Sequence, residues 1–140
     1  MAWHQNQIQL QDRLAHVLVD GRFADTAPIT ALPCINWFGV WCREAVSEDE
    51  FISVKEEDAM STIERQLIEI AGKKADGWAV YCIRLMSRGL AEYYLYSKDH
   101  STLKDVCTEL HKFFPEYRIE HEAKVDASWS EYFKYHEAVL

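Results

Sequence analysis

The side chains able to do chemistry in this chain are numerous but scattered. Six histidines (His4, His16, His100, His111, His121 and His136), four cysteines (Cys34, Cys42, Cys82 and Cys107) and 23 acidic residues stand among 140. A metal centre draws on ligands at short repeating intervals, such as H-x-x-x-H on one helix face or H-E-x-x-H, and neither pattern occurs. No metal site is expected, and His121, on the apolar side of an alternating segment, reads as a core histidine. The serines lie outside any G-x-S-x-G elbow, and the thiols lack a local catalytic signature. There is no G-x-G-x-x-G and no P-loop to cradle a phosphate, so no cofactor is expected. The carboxylates divide between an acidic loop (Glu44, Glu48, Asp49, Glu50) and a helix start (Glu56, Glu57, Asp58). General acid–base catalysis needs two carboxyls converging in a cleft, which their spacing does not show.

Two features retain chemical interest. Arg84 is the one charge inside an apolar strand, between Ile83 and Leu85. It reads either as a structural ion pair or cation over a ring, with Glu92 or Tyr93 as partners across a hairpin, or as an anchor for an anionic ligand or a partner carboxylate. The second is AEYYLYSKD, residues 91–99, with three tyrosines in a strand-like run. Successive strand residues point to opposite faces, so Tyr93 looks one way and Tyr94 and Tyr96 the other. A face carrying Tyr94 and Tyr96 needs a cover, and the chain itself can supply one from its N-terminal 30 residues or from the tail DASWSEYFKYHEAVL, with Trp129, Tyr132, Phe133 and Tyr135. A partner or a second copy of the chain is the other source, since exposed aromatic patches mark interaction sites.

These residues need elements to position them, and the patterning supplies most. The length suits one domain with a core of its own, read as an N-terminal extension (1–30), a core (31–125) and a helical tail (126–140). Residues 3–18 place Trp3, Leu10, Leu14, Val17 and Leu18 near helical spacing, although 16–19 before Asp20-Gly21 also reads as a strand entering a turn. LPCINWFGVWCR, residues 32–43, has the β-branched and aromatic content of a buried strand. Trp37 and Trp41 share one of its faces. Ser53-Val-Lys-Glu56 has the form of a capping box, and Met60, Ile63, Leu67, Ile70 and Ala71 trace the helix behind it to a stop at Gly72. Residues 78–86 and 90–96, split by Ser-Arg-Gly, predict a hairpin. Leu103, Val106, Cys107, Leu110, Phe113 and Phe114 predict a helix ended by Pro115. YRIEHEAKV then alternates as a strand with one wet face, and Asp126 or Ser128 offers a cap for a last short helix. From residue 32 the order is strand, helix, strand, strand, helix, strand. That order predicts an α+β, ferredoxin-like split βαβ sandwich, a four-stranded antiparallel sheet with two helices on one face and extensions at both ends.

Several of these segments together resemble the bacterial domain-of-unknown-function family 695. The carriers are CIRLMSRGLAEYYLYSKD, EEDAMSTIERQLIEI and FPEYRIEHEAKVDASWSEY, over roughly residues 28 to 133. The family pairs an Arg-containing strand, a Gly turn and an aromatic strand with a later Asp-x-x-Trp-x-x-Tyr. Here those positions are Arg84, Gly89, Tyr94, Tyr96, Asp126, Trp129 and Tyr132, with Ala127 where proline is expected. The group is similar in layout to the ribonuclease E regulator B proteins, which implies an acidic module that binds a protein rather than a catalyst.

Charge points the same way. Lys and Arg number 15 against 23 Asp and Glu, a formal net charge of −8, which repels phosphate backbones and anionic lipid surfaces. Neither nucleic acid nor a membrane is expected as a partner. An RNA-binding sheet frames its stacking rings with Arg and Lys, whereas Glu92, Glu120 and Glu122 stand here. The N-terminus has no basic or apolar leader region, and the cysteines read as buried free thiols, Cys34 and Cys42 being roughly 26 Å apart if they share a strand. A cytoplasmic location follows as an expectation. The chain is therefore expected to be a non-catalytic protein-binding or regulatory module. Arg84, Tyr94, Tyr96, Trp129 and Tyr132 are its contact residues, and its partner is a basic protein or a second copy in a homodimer. The alternative is a small-ligand binder or small enzyme with a pocket between the sheet and the terminal segments.

Overall fold

The computed structural model describes residues 3–47 and 50–140. Its strands are β1 (Trp3–Leu10), β2 (Arg13–Asp20), β3 (Cys34–Trp41), β4 (Val80–Ser87), β5 (Leu90–Ser97) and β6 (Arg118–Val125). Its helices are α1 (Glu57–Lys74), α2 (Val106–Phe113) and α3 (Ser130–Ala138). All six strands form one antiparallel sheet in the order β1-β2-β4-β5-β3-β6. The four-stranded sheet expected from the sequence is therefore widened, because the N-terminal segment supplies two strands rather than a helix. Its apolar residues mimicked helical spacing across a tight turn at Gln11-Asp12 that contains no glycine or proline. Glu48 and Asp49, two members of the acidic loop, lie outside the described residues.

The alternation of each strand divides the core in two. Phe38, Val40, Ala91, Tyr93, Leu95 and Ile119 face α1 and α2, where Met60, Ile63, Leu67, Val106 and Leu110 close over them. Ile35, Ile83, Leu85, Tyr96 and the β2 residues Ala15, Val17 and Val19 face the opposite way, against Trp129, Tyr132 and Tyr135 from the C-terminal segment.

Local chemistry explains most element ends. Arg88 and Gly89, with φ of 46° and 81°, form the two-residue turn of the β4–β5 hairpin between the paired Ser87 and Leu90. α1 runs past Gly72 to Lys74 and stops where Gly77, at φ 82°, donates its N–H back to the Gly72 carbonyl at 2.9 Å. The expected capping box does not form, since neither Ser53 nor Glu56 makes a side-chain cap at this helix. Glu56, buried, accepts instead from the backbone N–H of Arg43 (2.8 Å) and Glu44 (3.1 Å) and from the Tyr117 hydroxyl (2.9 Å). It ties the exit of β3, the start of α1 and the entry to β6 together. Burial opposes its ionisation, but these three donors outweigh that and hold the carboxyl below its usual range.

Candidate functional site

β5 sets the site by its parity. Tyr93 is buried on the α1 side, and Glu92, Tyr94 and Tyr96 are on the other. Tyr96 is fully buried there, its ring stacked on Trp129 with centroids 3.8 Å apart and planes 7° from parallel. Its hydroxyl donates to Asp126 Oδ2 at 2.7 Å and accepts the backbone N–H of Tyr132 at 3.2 Å. Asp126 also accepts from the Ser130 hydroxyl (2.6 Å) and the N–H groups of Ser130 (3.0 Å) and Glu131 (3.1 Å), capping α3 as its position suggested. Burial raises this carboxyl, yet the Ser130 and Tyr96 hydroxyls and the two amides bring it below its usual value. Burial and the bond to Asp126 push the Tyr96 phenol far up.

Trp129 sits at φ 56°, a left-handed conformation unusual for a bulky residue. Its indole N–H donates to the Leu32 carbonyl at 2.9 Å, and its ring is flanked by Tyr96, Phe23 and Tyr132. Tyr132 in turn donates to the Asp20 carbonyl at 2.7 Å, anchoring α3 to β2. Tyr96, Trp129 and Tyr132 are each 0% exposed. The tail covers this part of the sheet face, and these three rings are brought together as its seal.

The cover is partial. α3 packs over β1, β2 and β4, while Trp37, Gly39 and Trp41 of β3 occupy the same face beyond it. Trp37 and Trp41 are both half-buried, in edge-to-face contact with ring centroids 6.1 Å apart. Gly39 between them is the notch that lets them lie down. A Cβ there would come within 2.6 Å of the Trp37 six-membered ring and 3.2 Å of the Trp41 ring. The Trp37 indole N–H donates at 2.9 Å to Glu92, a carboxylate only 8% exposed whose other oxygen lies 3.8 Å from the Arg13 guanidinium.

Strand pairing places Trp41 opposite Arg118, Gly39 opposite Glu120 and Trp37 opposite Glu122. Arg118 lies over the Trp41 ring at 3.9 Å and pairs with Glu120. Beside Trp37 opens a groove of about 640 Å³, lined by Ile35, Trp37, Tyr94, Glu122, Ala123, Lys124 and Glu131. Tyr94, half-buried, forms part of its floor against Tyr135, and burial followed by Tyr135 and Glu92 raises its phenol. Lys124 lies 3.9 Å from Glu131 across the groove. The groove presents the faces of Trp37 and Tyr94 and the carboxylates of Glu122 and Glu131, with Lys124 beside them, and rings flanked by carboxylates are groups that can hold an organic cation.

Arg84 is elsewhere. It stands opposite Tyr93, on the α1 side, and its partner is Glu64 at 3.1 Å rather than Glu92. Tyr81 also donates to Glu64, at 3.4 Å. Of the five contact residues expected from sequence, Tyr94 lines the groove, Tyr96, Trp129 and Tyr132 lie beneath the C-terminal cover, and Arg84 is across the sheet. His121, expected in the core, is half-buried at the edge strand, its ring stacked on Phe38 at 4.4 Å and bonded to Asn36 at 2.9 Å. Trp37, Trp41 and Glu122 are the site residues that sequence reasoning did not single out. The W-x-G-x-W spacing of Trp37, Gly39 and Trp41 was the available signal.

Compared with known families, the chain is matched over residues 1–136 by a family described as "Family of unknown function (DUF695)". No curated protein and no solved structure matches it.

Proposed function

The chain belongs to the family of unknown function DUF695, a membership that assigns no activity, and we propose that it works as a non-catalytic protein-binding module. One observation carries this reading. The C-terminal cover stops short of Trp37 and Trp41, leaving two half-buried indoles on one face beside the exposed Glu122. Ring burial supplies affinity, and the chain's acidity steers a basic partner toward it.

Trp41 already carries Arg118, whereas among the described residues no Lys or Arg lies over Trp37. A Lys or Arg of the partner seated on Trp37, against Glu122, reproduces the arrangement four residues back along β3. In this reading Tyr94 is a contact, Tyr96, Trp129 and Tyr132 hold the platform, and Arg84 serves the far side of the sheet. The inner strand order β4-β5-β3-β6, with α1 and α2 on one face, supports a ferredoxin-like core augmented by the N-terminal hairpin. Four unpaired cysteines suit work in a reducing cytoplasm.

A second reading, a small-ligand binder or small enzyme, is favoured by the groove itself, whose volume of about 640 Å³ falls in the range of small-molecule sites. The test is a crosslinked pull-down of tagged protein from its own cell extract at low and moderate salt, with Trp37→Ala and Glu122→Gln controls. The captured protein is then purified and titrated back. A stoichiometric basic partner, weakened by salt and by both substitutions, is the expected result. A partner bound equally by the Trp37→Ala variant overturns this surface. Capture of no partner, with tryptophan fluorescence responding to small organic cations, transfers the site to the second reading.

A further inference from the structure

The outer rims of the sheet differ in a way that bears on assembly, independently of the Trp37 surface. β6, at one rim, carries the charges that usually guard an edge strand: Arg118, Glu120, Glu122 and Lys124 alternate along it. β1, at the other rim, reads WHQNQIQL, eight residues without Asp, Glu, Lys, Arg, Pro or Gly. It pairs with β2 in unbroken register from Trp3↔Asp20 to Leu10↔Arg13, so no bulge turns the rim away. The two-residue turn closes the hairpin on Leu10 and Arg13. Even-numbered residues therefore bond inward to β2, and Trp3, Gln5, Gln7 and Gln9 turn their N–H and C=O groups outward. In keeping with this, the Gln7 N–H donates to the Asn6 side chain at 2.9 Å.

We propose that β1 pairs antiparallel with β1 of a second copy of this chain, joining two six-stranded sheets across a two-fold axis normal to the sheet. Charge selects this rim for a contact between copies. Each chain carries a net −8, so two copies repel over most approaches, whereas the eight residues of β1 itself set no acidic or basic side chain against its like. Self-pairing also sets Gln and Asn against Gln and Asn, whose amides bond in ladders. The Gln7 N–H exchanges its bond to Asn6 for one to a carbonyl of the second copy. The same axis draws the ends of both α3 helices to the seam, since Asn6 Nδ2 donates to the Ala138 carbonyl at 3.0 Å. Leu140 beyond it, 79% exposed, gains cover there.

Sedimentation of the purified protein over a dilution series tests this. The expected mass is twice 16.4 kDa at high concentration, falling on dilution. A Gln5→Lys, Gln7→Lys variant is expected to be monomeric, because both residues are exposed and like charges opposed across strands repel. Trp37→Ala remains dimeric. Hydrogen exchange on the unaltered protein is the second measurement: the outward amides of β1 slow as concentration rises. A wild-type monomer throughout the series, a dimer that survives both lysines, or β1 amides indifferent to concentration each overturns the proposal. Protection of β1 that appears only on adding a different protein assigns the rim to a foreign strand, and overturns it equally.

Discussion

The phenol of Tyr96 and the indole of Trp129 lie parallel, 3.8 Å apart at their centroids, although 33 positions of the sequence separate them. Around that stack the C-terminal segment is locked onto the sheet by Asp126, Leu32 and Asp20. Trp129→Ala is expected to cost about 3–5 kcal/mol, the range for removing a large aromatic from a full core. Chemical denaturation measures it. A loss below about 1 kcal/mol, the level of an ordinary surface change, is incompatible with this stack anchoring the tail.

Asp126 confers a pH dependence whose sign follows from its environment. Its carboxyl is held below the ordinary Asp value of 3.8, so the folded state favours the ionised form. The stability it contributes is complete above that ordinary value and is lost as pH falls through the lower folded value. Asp126→Asn is expected to lower stability at neutral pH by about 1.5–3 kcal/mol, the scale of a hydrogen-bonded charge. It also flattens the acid limb of a plot of melting temperature against pH. An unchanged acid limb contradicts this assignment.

Arg84 and Glu64 form a partly exposed pair, with side chains 22% and 21% accessible. Arg84→Ala is expected to reduce stability by about 1 kcal/mol, near the upper end for such pairs after solvent screening. Partner binding through Trp37 should be untouched, because the two residues occupy opposite faces. A double-mutant cycle with Glu64→Gln isolates the pair, and a coupling of zero removes it from the account. A stable Arg84→Ala protein that loses its partner moves the binding surface to the α1 face.

Gly39→Ala separates site from fold. The new methyl displaces the Trp37 ring and breaks its bond to Glu92, at an overpacking cost of about 1–3 kcal/mol. Tryptophan emission is expected to shift to the red and partner affinity to drop, while the circular dichroism spectrum stays that of the parent. Undiminished affinity shows that the seated Trp37 ring does not matter to binding.

How much of this was legible in the residues depends on the distance over which each signal acts. Helices α1 and α2, the β4–β5 hairpin and β6 are recorded in apolar spacing and turn residues a few positions apart, and they lie close to where those patterns put them. The N-terminal hairpin was hidden because Leu10, Leu14, Val17 and Leu18 fall near helical spacing, whereas the face that β2 buries is Ala15, Val17 and Val19, a choice made by pairing with β4. Ser53 and Glu56 have the spacing of a cap, but Glu56 has better partners in Arg43, Glu44 and Tyr117, the last of them 61 residues away. For the site, the parity of β5 separates Tyr93 from Tyr94 and Tyr96 without any structure.

By itself, then, the sequence determined the charge, the α+β class, most elements and which neighbours share a strand face, because periodicity and composition are local properties of the chain. Tertiary structure decided which face of the sheet holds Trp37 and Trp41, that Arg84 meets Glu64, and how far the tail extends its cover. Those outcomes turn on strand register, where a slip of one residue exchanges the two faces, and register is set by contacts between residues far apart in the chain.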